Sequence, residues 1–262
     1  MCASCFLWIC TLHGQEKYIS FGAGYSFKAS SINAVNFYNT SMGNNSITYE
    51  QINLSLGSGL NAGGALGMYF NKNIGLDFGI NYLLGTKTTA TDEFVGGKTE
   101  LTYSGNLLRL NPSLVFRAES NKYKPYARFG VIVGKGSINA QYKEVDAGDV
   151  LLLKLKLNGG LSFGFSSAVG MDYVLNEKIS LFGEINAVNM SYAPSKGKVT
   201  EANFNGVDDL PNMTTSEKEF EYLNSYTEKF NSTPPDSEPT KALKVKYPFG
   251  SIGLNMGVKI SL

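Results

Sequence analysis

The chain has 262 residues, of which 12% are aromatic and 17% charged, with 29 glycines. Its 23 Lys and Arg nearly cancel its 22 Asp and Glu, so no net field advertises a nucleic-acid partner. No run approaches the ~20 apolar residues of a membrane-crossing helix; a membrane-spanning chain of this kind crosses as strands.

The segment before Gln15 differs from everything after it. MCASCFLWICTLHG carries no charge and has a short apolar run from Cys5 to Leu12. Residues 1–14 read as the latter part of a secretory signal peptide, with Gly14 as the small residue before cleavage and without the usual basic start. All three cysteines (Cys2, Cys5, Cys10), the sole histidine, His13, and the sole tryptophan, Trp8, fall inside it. The cleaved chain keeps no thiol and no imidazole. No disulfide framework, histidine-based catalysis or cofactor is therefore expected.

From Glu16 onward the pattern has period two. In YISFGAGYSFK, Ile19, Phe21, Ala23, Tyr25 and Phe27 alternate with Ser20, Gly22, Gly24 and Ser26. In IGLDFGINYLL, Ile74, Leu76, Phe78, Ile80, Tyr82 and Leu84 oppose Gly75, Asp77, Gly79 and Asn81. The final SIGLNMGVKISL repeats the pattern. Eight strands are predicted, at 17–29, 56–70, 74–87, 103–117, 124–138, 155–174, 178–193 and 246–262. The connections at 71–73, 119–124 and 176–178 are short; those at 30–55, 88–102, 139–154 and 194–245 are long. Because short and long alternate, an up-and-down meander carries every tight turn at one end and every long loop at the other. The expected fold is all-β: an eight-stranded antiparallel up-and-down transmembrane β-barrel in one domain, residues 15–262. Short turns and both termini would be periplasmic and the long loops extracellular.

A soluble lipocalin-like barrel is the alternative, since it too has one apolar face. Two features favour the membrane. The polar face is rich in Gly, Ser and Asn, which suit a crowded interior, and Phe70, Phe116 and Tyr173 each precede a short turn as a candidate aromatic girdle.

The polar face also carries charge. Counted from the short-turn end, Asp77, Arg117, Asp172 and Lys259 lie three or four residues in; Arg128 and Glu184 lie higher, and Arg109 higher again. An ion-pair network that narrows the lumen is expected, because an eight-stranded interior is nearly filled by side chains. Small residues on strand two (Gly57, Gly59, Gly63, Ala65, Gly67) and strand six (Gly160, Ser162, Gly164, Ser166, Ala168, Gly170) either leave a water-filled slot filtered by Arg109, Arg128 and Glu184 or make room for the arginines. Pro112 removes a donor inside strand four, and a bulge is expected there. Within 194–245, Ser216 and Glu219 have capping-box spacing, with Phe220, Leu223, Tyr226 and Phe230 near one face of a short helix. The adjacent Asp208 and Asp209 read as solvated loop acids.

Strand number, loop asymmetry and the alternating final segment resemble the small outer-membrane β-barrel proteins of the OmpA, OmpX and OmpW kind, over residues 17–262. The resemblance implies a Gram-negative outer-membrane location, contact with lipid and lipopolysaccharide, and assembly by the outer-membrane insertion machinery. It implies a non-enzymatic structural or surface-interaction role through the loops, toward an extracellular protein or small solute, with a narrow porin-like channel as the alternative. The last strand departs from the family by ending Ile260-Ser261-Leu262 rather than on an aromatic residue.

Overall fold

Alternation in the sequence becomes pairing between strands. The computed structural model describes residues 16–29, 38–43, 46–52, 54–228 and 235–262; the leader-like segment 1–14 and Phe230 lie outside them. Eight strands, here β1 (Lys17–Lys28), β2 (Gly59–Tyr69), β3 (Ile74–Gly85), β4 (Gly97–Arg117), β5 (Tyr123–Asp146), β6 (Ser162–Val174), β7 (Ile179–Tyr192) and β8 (Ser251–Ser261), each pair antiparallel with the next. β8 returns to β1 in a continuous ladder from Tyr18↔Ser261 to Lys28↔Ser251. The pairings therefore close a ring in which no member strand is left as an edge.

The same side-chain chemistry makes two of the tight turns. Asn71 Oδ1 accepts the backbone N–H groups of Asn73 and Ile74, both at 2.8 Å. Asn176 Oδ1 does the same for Lys178 and Ile179 at 2.9 Å. An asparagine that bonds its own backbone two and three residues on closes a turn without help from the rest of the fold.

The opposite end differs from the sequence expectation. The long connections are themselves built of strands. β4 begins at Gly97, paired with a strand Thr88–Phe94, and β5 runs to Asp146 before returning as Asp149–Asn158. The predicted strand 155–174 is broken: Gly159 and Gly160 adopt φ of +81° and +75°, which glycine adopts at little cost. Residues up to Asn158 thus belong to the loop hairpin. In the last connection, Lys196–Phe204 pairs with Asp149–Asn158. The predicted helix shrinks to one turn, Thr215–Lys218, capped reciprocally by Thr214 and Glu217 rather than by Ser216 and Glu219. Glu219–Leu223 leaves it as a strand against Lys196–Lys198 and, in parallel, Thr240–Leu243. EFEYL also alternates with period two, and the ladder outweighs its weak helical face.

Pro112 makes no bulge. The β4–β5 register is the same on both sides of it (Leu110↔Val133, Ser113↔Gly130), and the ladder skips residues 111 and 112. Inside the ring, Asn111 Oδ1 accepts from Ser166 Oγ at 2.9 Å and Ser113 Oγ at 3.2 Å, a polar bridge from β4 to β6 across the gap.

Alternation sorts the two faces without ambiguity. The outward positions are apolar and exposed, among them Phe78 at 64%, Phe165 at 70% and Met256 at 73%. The inward positions bury Ser20, Asn61, Asp77, Arg109, Arg117, Asp172, Glu184 and Lys259. A soluble barrel would place these faces the other way round. Toward the long-loop end the interior turns apolar: Leu56, Leu83, Leu107, Ile138, Tyr192 and Phe249 belong to one buried cluster. Toward the short turns Tyr18, Tyr69, Val115 and Tyr126 form another.

Gly63, Ala65, Ser166 and Ala168, from the two small-residue strands, line a space shared with Arg109 and Arg128. Other inward glycines instead seat aromatic rings: a Cβ at Gly170 would lie 2.7 Å from Tyr126 Cζ, one at Gly22 or Gly257 would lie 2.7 Å from the Phe182 ring, and one at Gly67 would enter the Tyr18 ring. Gly170→Val should therefore cost about 1–3 kcal/mol by overpacking. Gly183→Ala, where nothing lies within 4 Å, should change stability by less than about 0.5 kcal/mol. Urea unfolding of the two variants in lipid vesicles checks the contrast.

Candidate functional site in the lumen

The interior is layered along its axis. In the lowest layer Lys259 Nζ donates to Asp172 Oδ2 at 2.6 Å. The ammonium lies 4.6 Å from the Tyr18 ring centroid and 4.9 Å from that of Tyr126, so two π-faces supplement one carboxylate. Beside it Arg117 makes a two-pronged bond to Glu16, at 2.9 and 2.7 Å, with its guanidinium 3.7 Å above the Tyr69 ring. Both pairings place planar or compact cations where desolvated charge can be matched.

The next layer centres on Arg128, which reaches two acids. It donates to Asp77 Oδ2 at 3.3 Å and to both oxygens of Glu184 at 2.7 and 2.9 Å. Those acids are further saturated: Tyr18 O–H donates to Asp77, Tyr126 O–H to Glu184 at 2.9 Å, and Asn255 Nδ2 to Glu184 at 3.1 Å. Glu184 thus accepts four bonds, which fill its lone pairs, while Asp77 accepts one on each oxygen. Among the described residues, no three His, Cys, Asp or Glu side chains gather as metal ligands.

Above this lies a cavity of about 100 Å³ lined by Arg109, Asn61, Asn81, Asn111, Asn186 and Asn255. Arg109 donates to Asn81 Oδ1; Asn81 donates in turn to Asn61 at 3.4 Å, and Asn61 to Ser26 at 3.1 Å. The apolar cluster closes the end beyond. The segments entering it are pinned by Leu56 N–H to Pro248 O at 2.8 Å, Ser55 Oγ to Gly250 O at 2.7 Å and Phe249 N–H to Met190 O at 3.0 Å.

Six of the seven charges expected in the lumen form ion pairs there, with two changes. Arg117, expected at one depth with Asp77, Asp172 and Lys259, pairs with none of them but with Glu16, which the sequence reading did not include. Arg109 stands outside the network and makes no ion pair among the described residues. The lumenal tyrosines Tyr18, Tyr69 and Tyr126 were also missed, although strict alternation puts each on the charged face: Tyr126 is two residues from Arg128, and Tyr18 two from Ser20. Phe70 and Phe116 are exposed and Tyr173 half-buried at the short-turn end. Tyr123 lies against Tyr173, with centroids 5.3 Å apart.

The sequence profile described as "Outer membrane protein beta-barrel domain" matches residues 18–208. The chain belongs to this outer-membrane β-barrel family. Membership places it in the outer membrane of a Gram-negative bacterium. No curated protein matches it. Among solved structures, it is similar to Neisserial surface protein A (NspA), at 10% identity and a TM-score of 0.45, over 95% of this chain and 100% of that one. It is also similar to CarO2 of Acinetobacter baumannii, at 14% identity and a TM-score of 0.33, over 94% and 99%. A third is Ail, the attachment invasion locus protein of Yersinia pestis, at 11% and 0.29, over 94% and 98%. Likeness at these scores carries no conclusion about function.

Burial should set what each ion pair is worth in this family member. The Lys259 and Asp172 side chains are 10% and 2% exposed, those of Lys72 and Glu119 75% and 59%. Lys259→Met leaves a buried carboxylate without its cation and should cost about 3–5 kcal/mol. Lys72→Met should cost less than about 1 kcal/mol. Guanidinium unfolding in vesicles measures both.

Proposed function

We propose that this protein is a non-enzymatic, eight-stranded transmembrane barrel with a closed lumen, and that its function is exercised by the platform of strands at its long-loop end. The observation that carries this proposal is double occlusion: a charged and aromatic layer fills the lumen toward the short turns, and an apolar plug fills it toward the loops. Strand length supports the spanning role. β1, β2, β3, β6, β7 and β8 have 11 to 14 residues, enough for the about 9–11 that a tilted strand needs. β4 and β5, at 21 and 24, continue beyond any hydrocarbon layer at the loop end only.

In this arrangement the exposed apolar belt contacts lipid, with lipopolysaccharide in the outer leaflet, and Phe70, Phe116, Tyr123 and Tyr173 form the girdle at the short-turn interface. The short turns and both termini face the periplasm. Assembly passes through the outer-membrane insertion machinery, and an extracellular protein or small solute is the partner of the platform.

That platform is ordered by its own pairings. Lys154 meets Glu201 at 2.6 Å, Lys198 meets Glu219 at 2.9 Å and Lys98 meets Glu100 at 2.7 Å. The hydrogen bond from Lys198 holds the Glu219 carboxyl below its ordinary range. These pairs are open to water and screened by salt, so Lys154–Glu201 and Lys198–Glu219 orient neighbouring strands more than they stabilise them, and Lys98–Glu100 acts within one strand. The buried leucines and tyrosines beneath them hold the platform together.

Planar-bilayer recording tests the closed lumen. Wild-type protein should be silent, and so should Arg128→Ala, because the apolar plug remains. Combining Arg128→Ala with Leu56→Ala and Phe249→Ala should open discrete conductance steps. Steps from the wild-type protein would instead make it a channel.

A further inference from the structure

Arg109 is the one lumenal charge whose neighbours do not account for it. Its residue is 5% exposed, and its single hydrogen bond among the described residues goes to an amide, Asn81 Oδ1. A guanidinium has five donors, and a buried cation without an anion is costly. No nearby carboxylate is available to turn toward it, since Asp77 and Glu184 are both held by Arg128 and by tyrosine hydroxyls. The group nevertheless lines a cavity of about 100 Å³ with five asparagines around it. One water occupies about 30 Å³ of liquid, so the cavity has room for a small ion with a little water, but not for a sugar-sized solute. Two of those asparagines, Asn186 and Asn255, carry an Oδ1 atom with no partner, acceptors that suit the water accompanying an ion and not the ion itself.

The geometry points to a binding site for a small inorganic anion of halide size, held by the free guanidinium donors of Arg109 with amide N–H groups from the asparagine ring. The apolar side chains of Ile132, Val188 and Phe182 complete the wall and lower the local dielectric, which strengthens the charge of Arg109. The other two charges on the wall, Arg128 and Glu184, are spent on each other. The site lies between the ionic layer, whose Arg128–Glu184 pair forms part of its wall, and the apolar plug.

Crystals of the refolded protein soaked in sodium bromide test this directly. An anomalous peak in hydrogen-bond contact with the Arg109 guanidinium is expected. Bromide found only at surface lysines, with water alone in the cavity, would overturn the site. A second measurement follows thermal unfolding in detergent while chloride replaces gluconate, too large for the cavity, at constant ionic strength. The wild-type midpoint should rise by about 2–4 °C and saturate, whereas Arg109→Met should show no saturable rise. An equal rise in both proteins would contradict specific binding. If Arg109→Met does not fold, the bromide map of the wild-type protein decides alone.

Discussion

A ring of eight strands leaves an interior that its own side chains must fill, and every polar group placed there has to find its partner inside. This constraint organises the molecule. Arg128 has to serve two carboxylates because Asp77 and Glu184 both point inward beside it. Tyr18 and Tyr126 contribute hydroxyls to those acids, and these two with Tyr69 contribute ring faces to Lys259 and Arg117. Buried ion pairs of this kind gain little over a well-packed apolar interior, but become very costly when one member is missing. The set is therefore coupled, and its members stand or fall together.

The outward face follows from the same geometry. Since side chains alternate, each inward residue forces its neighbour outward, and the exposed row of Phe, Leu, Ile and Val is the necessary complement of the charged lumen. In water such a surface would be an aggregation hazard. In an outer membrane it is the solvated state of the fold. The inward glycines meet the remaining need, which is room: an interior this narrow holds Tyr18, Tyr126 and Phe182 only where the strand across from the ring offers no Cβ.

Much of this was legible in the sequence, and the failures have physical causes. Facing was readable because it depends on parity alone, and the turns at 71–73 and 176–178 because each is made by its own asparagine. Depth was harder. Counting residues from the turns put Asp77 level with Arg117, but adjacent strands are staggered, and Asp77 stands opposite Ser113, four residues from Arg117 along β4. The loop strands were invisible because their pairing depends on partners far along the chain, as with Lys196–Phe204 on Asp149–Asn158. The break at Gly159 and Gly160 was hidden by apolar residues on both sides that keep alternating. Arg109 looked like its neighbours because charge is visible in a sequence and a missing counter-ion is not.

The claim that the lumenal charges are held as one set is tested most directly by unfolding in lipid vesicles. Arg128→Met is compared with the triple variant that also carries Asp77→Asn and Glu184→Gln. The single substitution strands two buried carboxylates and should cost about 3–5 kcal/mol, and the triple substitution should recover most of that loss. A triple variant less stable than the single one, with losses that simply add, would contradict the account.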